Sequence, residues 1–271
     1  MRNIIIIGNG IAGITCARHI RKLCNDPITV ISAESDHFFS RTALMYIYMG
    51  HMKYEHTKPY EDFFWEKNRI QLLRKYVVGI NSAEKNIVTD DGSIISYDVL
   101  VIATGSITQK FDWPGQDLAG VTGLYSLQDL EAIEKNTQNI QSAVITGGGL
   151  IGMEMAEMLH TRKIEVTMLV KDKYYWGSVL PPQDAVLVAN QMRLNGIEVI
   201  YETELKEIKG DDKGKVTGII TSKDETIPCQ FVGIATGVKP NISFLKDSSI
   251  KTDKGVLVND YFETNCENVY S

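Results

Sequence analysis

The chain has no Cys-x-x-Cys pair, no cluster of lysines and arginines, and no apolar run long enough to cross a bilayer. Each absence closes off a class of function. The four cysteines, Cys16, Cys24, Cys229 and Cys266, lack metal-ligand spacing, so no metal site is expected. Sparse, unpaired thiols fit a reducing cytoplasm, the expected location. A formal charge of −6 opposes a phosphate-backbone surface, which excludes nucleic acid as the expected partner. The first apolar run, Ile4 to Ile7, is broken by Gly8; it is too short for a signal-peptide core or a membrane span. Hydrophobic residues at 44% and charged residues at 23% describe an ordinary globular chain, and 271 residues suffice for two domains.

Two glycine fingerprints of one kind are present. Gly8-Asn9-Gly10-Ile11-Ala12-Gly13 follows the apolar Ile4 to Ile7, and Gly147-Gly148-Gly149-Leu150-Ile151-Gly152 follows Ala143, Val144 and Ile145. Each sits where a strand turns into a helix. The glycines permit the tight turn, a close backbone approach to a pyrophosphate, and close packing of helix on sheet. The helix N-terminus offers unpaired N–H groups and partial positive charge. A single copy is a weak signal; two copies in strand–turn–helix context predict two bound dinucleotides. A second landmark is also duplicated. Val99 to Ala103-Thr104-Gly105 is echoed by Phe231 to Ala235-Thr236-Gly237, each an apolar strand after a polar hairpin, so two units of similar layout follow one another. Ligands of open α/β sheets dock at the carboxyl ends of such strands.

Residues 3–7, 11–23 and 28–31 read as a βαβ start, with Glu34 placed shortly after it to bind ribose hydroxyls. Arg41 to Gly50 reads as helix, and the aromatic stretch Tyr54, Tyr60, Phe63, Phe64 and Trp65 as a helix face turned into the core. Residues 76–96 read as short strands turning at Asp91-Gly92, and Trp113-Pro114-Gly115 as a crossover between domains. Ser126 to Asn136 reads as a helix capped by Ser126, with Asp129 three residues on. Pro181-Pro182 opens another helix that ends near Asn195-Gly196. Lys239-Pro240-Asn241 reads as a turn and Gly255 to Asn259 as the start of a further strand or hairpin.

Together these landmarks resemble the FAD- and NAD(P)-dependent pyridine nucleotide-disulfide oxidoreductases, over essentially the whole chain. The resemblance implies an α/β fold of two Rossmann-like domains, the NAD(P) domain (114–243) inserted in a discontinuous FAD domain (1–113 and 244–271). It places FAD on Gly8, Gly10, Ile11, Ala12, Gly13 and Glu34, with Arg41, Thr42, Val78, Ala103, Thr104 and Gly105 lining the same ligand. It places NAD(P)H on Gly147, Gly149, Leu150, Ile151 and Gly152, with Gly237 near the nicotinamide half. Glu154 corresponds to a carboxylate that orients the nicotinamide and is the candidate catalytic residue. Relatives continue past Tyr270 into an Ala-x-Gly-Asp motif and an interface domain, so the resemblance implies an FAD domain incomplete at its C-terminus with weak flavin retention. It implies a homodimer for the full-length protein.

The departures from the family pattern narrow the chemistry. In Phe39-Ser40-Arg41-Thr42-Ala43-Leu44-Met45-Tyr46, Thr42 stands where coenzyme A disulfide reductases and NADH oxidases carry a redox cysteine. A threonine hydroxyl does not cycle through thiolate and disulfide. The expected enzyme therefore passes hydride from NAD(P)H to FAD and electrons onward to a separate acceptor: a rubredoxin, a ferredoxin, a quinone, oxygen or a nitrite reductase module. Tyr46 stands where the ferredoxin-reductase branch has a lysine, which leaves Glu154 without that partner. After the second strand of the second βαβ, Lys171 and Lys173 flank Asp172; both nucleotides stay open, and the lack of an arginine there tilts the reading to NADH. The alternative function is a catalytically silent dinucleotide-binding scaffold or NAD(P)H sensor, with the aromatic 54–65 stretch as a partner surface.

Overall fold

Four consecutive isoleucines at Ile4–Ile7 form a strand with no exposed side, and that fact organises the first half of the molecule. The computed structural model describes residues 1–271. The chain divides into two compact units, Met1–Ser40 with Tyr54–Ile107 and Lys239–Ser271, and Arg41–Lys53 with Thr108–Val238.

In the first unit, Ile4–Ile7 is the middle strand of a five-stranded sheet. Its neighbours are Ile28–Ser32 on one side and Val99–Ile102 on the other, with Ile70–Arg74 and Val269–Tyr270 at the edges. Every pairing is parallel. Alternate side chains of a strand point to opposite faces, so a strand covered on both reads as an unbroken apolar run. Ile4 and Ile6 pack with Ile14 and Ala17 of the helix Ile11–Leu23 and with Trp65. Ile5 and Ile7 pack on the other face with Val77, Ile80 and Ile87 of a small antiparallel sheet, and with Leu245 and Ile250.

The second unit repeats the plan. Ser142–Thr146 is central, between Glu165–Val170 and Phe231–Ile234, with Ile197–Tyr201 and Val121–Thr122 outermost; all pairings are parallel. The helix Leu150–Thr161 follows the central strand, and an antiparallel sheet of Leu205–Gly210, Val216–Thr221 and Thr226–Pro228 covers the side of Val144, Leu169 and Val232. Both halves are thus Rossmann-like, as expected from the duplicated fingerprints.

The helix Leu127–Asn136 begins with the expected device: the Ser126 hydroxyl accepts from the Asp129 N–H, and the Asp129 carboxylate accepts from the Ser126 N–H. The helix Pro182–Leu194 opens on its proline. Three expectations need adjustment. Gly255 to Asn259 forms no strand; of the two alternatives it takes the hairpin, closed by one isolated antiparallel bridge, Thr252 to Val256, and no neighbouring strand covers Leu257 and Val258, which stay exposed. Val238–Pro240 is a short strand rather than a turn. Arg41 to Gly50 is two pieces, the 3-10 turn Arg41–Ala43 and the helix Leu44–Tyr48.

The segment Arg41–Lys53 is held by long-range contacts inside the second unit. The Tyr48 hydroxyl lies 2.7 Å from Thr137 Oγ1. Arg162 sits 3.5 Å from the centre of the Tyr48 ring and donates to the Tyr48 carbonyl at 2.7 Å. No helix is long and apolar enough to cross a membrane.

Candidate functional site: two glycine cradles

The first turn is built by steric exclusion. Gly8 has φ +115°, and a Cβ there would lie 2.1 Å from the Ala103 carbonyl oxygen. Its N–H donates to Ile31 at 2.7 Å, while Ala103 N–H donates to Ile7 at 2.8 Å. The turn is therefore pressed between the two neighbouring strands. Gly13 lets the helix close on the turn, since a Cβ would lie 2.0 Å from the Gly8 carbonyl oxygen. Gly10, between them, is different: a Cβ there would meet nothing within 4 Å. Only glycines fit the outer two positions, and the middle one faces open space.

The second turn reproduces this pattern atom for atom. Gly147 has φ +117° and a Cβ would lie 2.2 Å from the Ala235 carbonyl oxygen; at Gly152 it would lie 2.2 Å from that of Gly147. Gly147 N–H donates to Leu169 and Ala235 N–H to Thr146. At the middle glycine, Gly149, the sole neighbour within 4 Å is Trp176 Nε1, at 3.9 Å. Gly10 and Gly149 are the N-caps of their helices, neither makes a side-chain cap, and neither helix has an acid in its first turn. Unpaired N–H groups and the positive helix end therefore border each open space. This arrangement fits the pyrophosphate of a dinucleotide in both units.

The two turns differ at one position. Asn9 is buried and its Nδ2 donates to the Ser35 carbonyl at 2.9 Å, tying the first turn to the loop after the second strand. Gly148 takes its place in the second turn, where a Cβ would fall 2.8 Å from a Val170 methyl.

Glu34 is half-buried just past Ile28–Ser32, with its N–H donating to Ser32 Oγ. Ala103, Thr104 and Gly105 follow Val99–Ile102, so they share the sheet end with Gly8 and Gly10. The Thr104 hydroxyl donates to the Asn241 carbonyl at 2.8 Å, and the equivalent Thr236 donates to Gln109 at 3.0 Å; each pins a passing chain segment. Val78 is exposed on Val77–Asn81 of the small antiparallel sheet. The first unit thus carries Gly8, Gly10, Ile11, Ala12, Gly13, Glu34, Val78 and Ala103 to Gly105. Arg41 and Thr42 belong to the second unit, where Arg41 donates to the Tyr125 carbonyl and lies 4.6 Å from the centre of its ring.

The second cradle opens into a cavity of about 850 Å³, a volume suited to a nucleotide-sized ligand. Gly147 to Ile151 form one wall, Ala235 to Gly237 another, and Val170, Lys171, Asp172 and Trp176 a third. Gly237, at φ +107°, leaves its side open. Glu154, one turn into the helix, is half-buried and no hydrogen bond or ion pair engages its carboxylate. Burial, reinforced by the neighbouring Glu157 charge, raises its pKa above the usual carboxylate value. The Tyr175 hydroxyl, whose pKa burial pushes up to about 12, donates to the Gly149 carbonyl at 3.1 Å. The sequence reading missed Tyr175 and Trp176. The one available signal was their place directly after the second strand of the second βαβ.

No disulfide forms, and all four cysteines are free. Burial raises the pKa of Cys16 and pushes that of Cys229 up to about 12.

Residues 2–271 match the family described as pyridine nucleotide-disulphide oxidoreductase. The chain is 28% identical over 273 residues to the nitrite reductase [NAD(P)H] of Bacillus subtilis (strain 168), covering 100% of this chain and 34% of the relative. It is 33% identical over 282 residues to an NADH oxidase of Methanocaldococcus jannaschii, covering 98% of this chain and 61% of that protein. Among solved structures, a NAD-dependent persulfide reductase from A. fulgidus superposes with a TM-score of 0.90 at 28% identity, over 99% of this chain and 52% of that one. The chain spans about a third of the length of the first curated relatives it matches.

Proposed function

This chain belongs to the pyridine nucleotide-disulphide oxidoreductase family, and from that premise we propose that it is an FAD-dependent NAD(P)H oxidoreductase serving a separate electron acceptor. FAD is held by the first glycine turn and NAD(P)H by the second. When bound, the flavin accepts hydride from the reduced nicotinamide and passes the electrons on. The observation that carries this reading is the matched pair of cradles, each with two glycines that admit no Cβ and a middle glycine left facing space.

The protein's own part is binding and orientation. In the first unit the backbone N–H groups of Ile11 and Ala12 hold the FAD pyrophosphate, Glu34 accepts the ribose hydroxyls, and Val78 and Ala103 to Gly105 flank the ligand. In the second unit Leu150 and Ile151 do the same for NAD(P)H, and Gly237 leaves room for its nicotinamide half. Glu154 orients the nicotinamide. Its carboxyl makes no hydrogen bond or ion pair within the protein, so its oxygens are open to a donor on the amide.

No thiol relay takes part. Thr42 carries a hydroxyl where a redox cysteine stands in disulfide-cycling relatives, and the buried Cys229 holds its proton at any physiological pH. The acceptor is therefore external: a small redox protein, a quinone, oxygen or a reductase module. NADH is slightly favoured: Lys171 and Asp172 both line the cavity, and no arginine does. Our reading places the protein in the cytoplasm and as a homodimer.

The test is reconstitution of the chain with FAD followed by NADH oxidation with ferricyanide as acceptor. A yellow, turning-over protein supports the reading. A chain that binds no FAD even at saturating flavin overturns it, and tight dinucleotide binding without turnover points to a scaffold.

A further inference from the structure

Trp176 is the one side chain that reaches the open space at the middle glycine of either cradle. Its Nε1 is the sole atom within 4 Å of the Cβ that Gly149 lacks, at 3.9 Å, and the residue lines the 850 Å³ cavity beside Gly147 to Ile151. The protein gives this N–H no hydrogen-bond partner. An indole N–H is a donor and never an acceptor, so any ligand group that pairs with it there must be an acceptor.

The residue is held there. Its backbone adopts φ +47°, uncommon for a bulky side chain, and its carbonyl accepts from both Val179 and Leu180 at 2.9 Å. The preceding Tyr175 is fixed to the carbonyl of Gly149 itself. The charges around the cavity are mixed: Lys171 is the cation, and Asp172 and Glu204 are carboxylates. A neutral donor placed at the glycine turn attracts an anion without depending on that balance.

We propose that Trp176 is a diphosphate-positioning residue of the second cradle, its indole N–H donating to the pyrophosphate of the bound dinucleotide. The assignment rests on reading that cradle as the NAD(P)H site. Trp176→Phe keeps the ring and removes only the donor. A hydrogen bond to a charged group governs roughly 10- to 100-fold in affinity.

The experiment is calorimetric titration of ADP-ribose, which carries the diphosphate without a nicotinamide, into FAD-saturated wild type and Trp176→Phe. In parallel, the indole ¹⁵N–H signals of the wild type, three in number for the three tryptophans, are followed by NMR. A loss of fivefold or more in the variant, with a downfield shift of the Trp176 indole proton in the wild type, supports the proposal. A smaller loss, or an indole signal that does not move at saturation, overturns it. Affinity kept by Trp176→Phe but lost by Trp176→Ala assigns the residue to stacking and also overturns it. If the wild type binds no ADP-ribose, the reading of the second cradle itself fails.

Discussion

One methyl group, added in turn at the glycines of the second fingerprint, separates what the turn does for the fold from what it does for a ligand. In Gly147→Ala the new Cβ is driven 2.2 Å from the Ala235 carbonyl oxygen, at a φ of +117°. Left-handed strain costs about 1–2 kcal/mol, and relieving an overpacked contact against strand backbone costs about 1–3 kcal/mol more. The sum is ~2–5 kcal/mol, which lowers the melting temperature of a unit this size by roughly 6–20 °C. Gly152→Ala meets the Gly147 carbonyl oxygen at 2.2 Å without the φ penalty, so its loss lies at the lower end. In Gly149→Ala the methyl touches only Trp176 Nε1 at 3.9 Å, an ordinary contact, and the backbone is extended. Its stability cost is about 0.5 kcal/mol, that of replacing a glycine N-cap. The same methyl stands in the space meant for a phosphate, so affinity for ADP-ribose drops by tenfold or more. Urea unfolding followed by circular dichroism and calorimetric titration read the two effects separately. If Gly149→Ala binds like the wild type, or Gly147→Ala is as stable as Gly149→Ala, the cradle argument is wrong.

Three further outcomes are expected. Because Glu154 has its pKa raised in the folded state, its ionisation opposes folding; the stability it lends is full below the unfolded pKa near 4.3 and is lost as pH rises through the folded value. Glu154→Gln therefore melts above the wild type at pH 8, with the gap closing toward pH 4; a pH-independent gap contradicts this. Alkylation with N-ethylmaleimide at pH 7 leaves Cys229 unmodified in peptide maps, since it is buried and holds its proton, and changes the ferricyanide reductase rate less than twofold. Arg162→Ala removes the donor to the Tyr48 carbonyl and the cation on its ring, costing about 1–3 kcal/mol. Hydrogen exchange should speed up over residues 41–53 in that variant while the first unit is unaffected.

What the sequence made legible follows the range of the interactions. Ile4 to Ile7, the fingerprints and the Ser126–Asp129 cap are decided within a few residues, and each formed where the pattern placed it. The Ala-Thr-Gly repeats also foretold the strands beside the two glycine turns. Arg41–Lys53 was not legible in the same way. Its neighbours in sequence belong to the first unit, but Tyr48 finds Thr137 and Arg162, far along the chain. At Gly255 to Asn259 only the hairpin alternative formed: apolar residues there make a strand only when another strand offers its edge, and none does. Trp176 was hard to read because the glycine it approaches precedes it by a whole helix and a strand, and its place directly after that strand was the sole local hint.

The contrast between Asn9 and Gly148 bears on the history of the molecule. Although the halves share a blueprint, their turns have ceased to be spare parts for each other. Transplanting the asparagine into the later turn would drive its side chain into Val170, and putting glycine into the earlier one would unfasten the loop of Glu34 and Ser35 from that turn. Either turn is therefore exchangeable only together with the strand end that accommodates it.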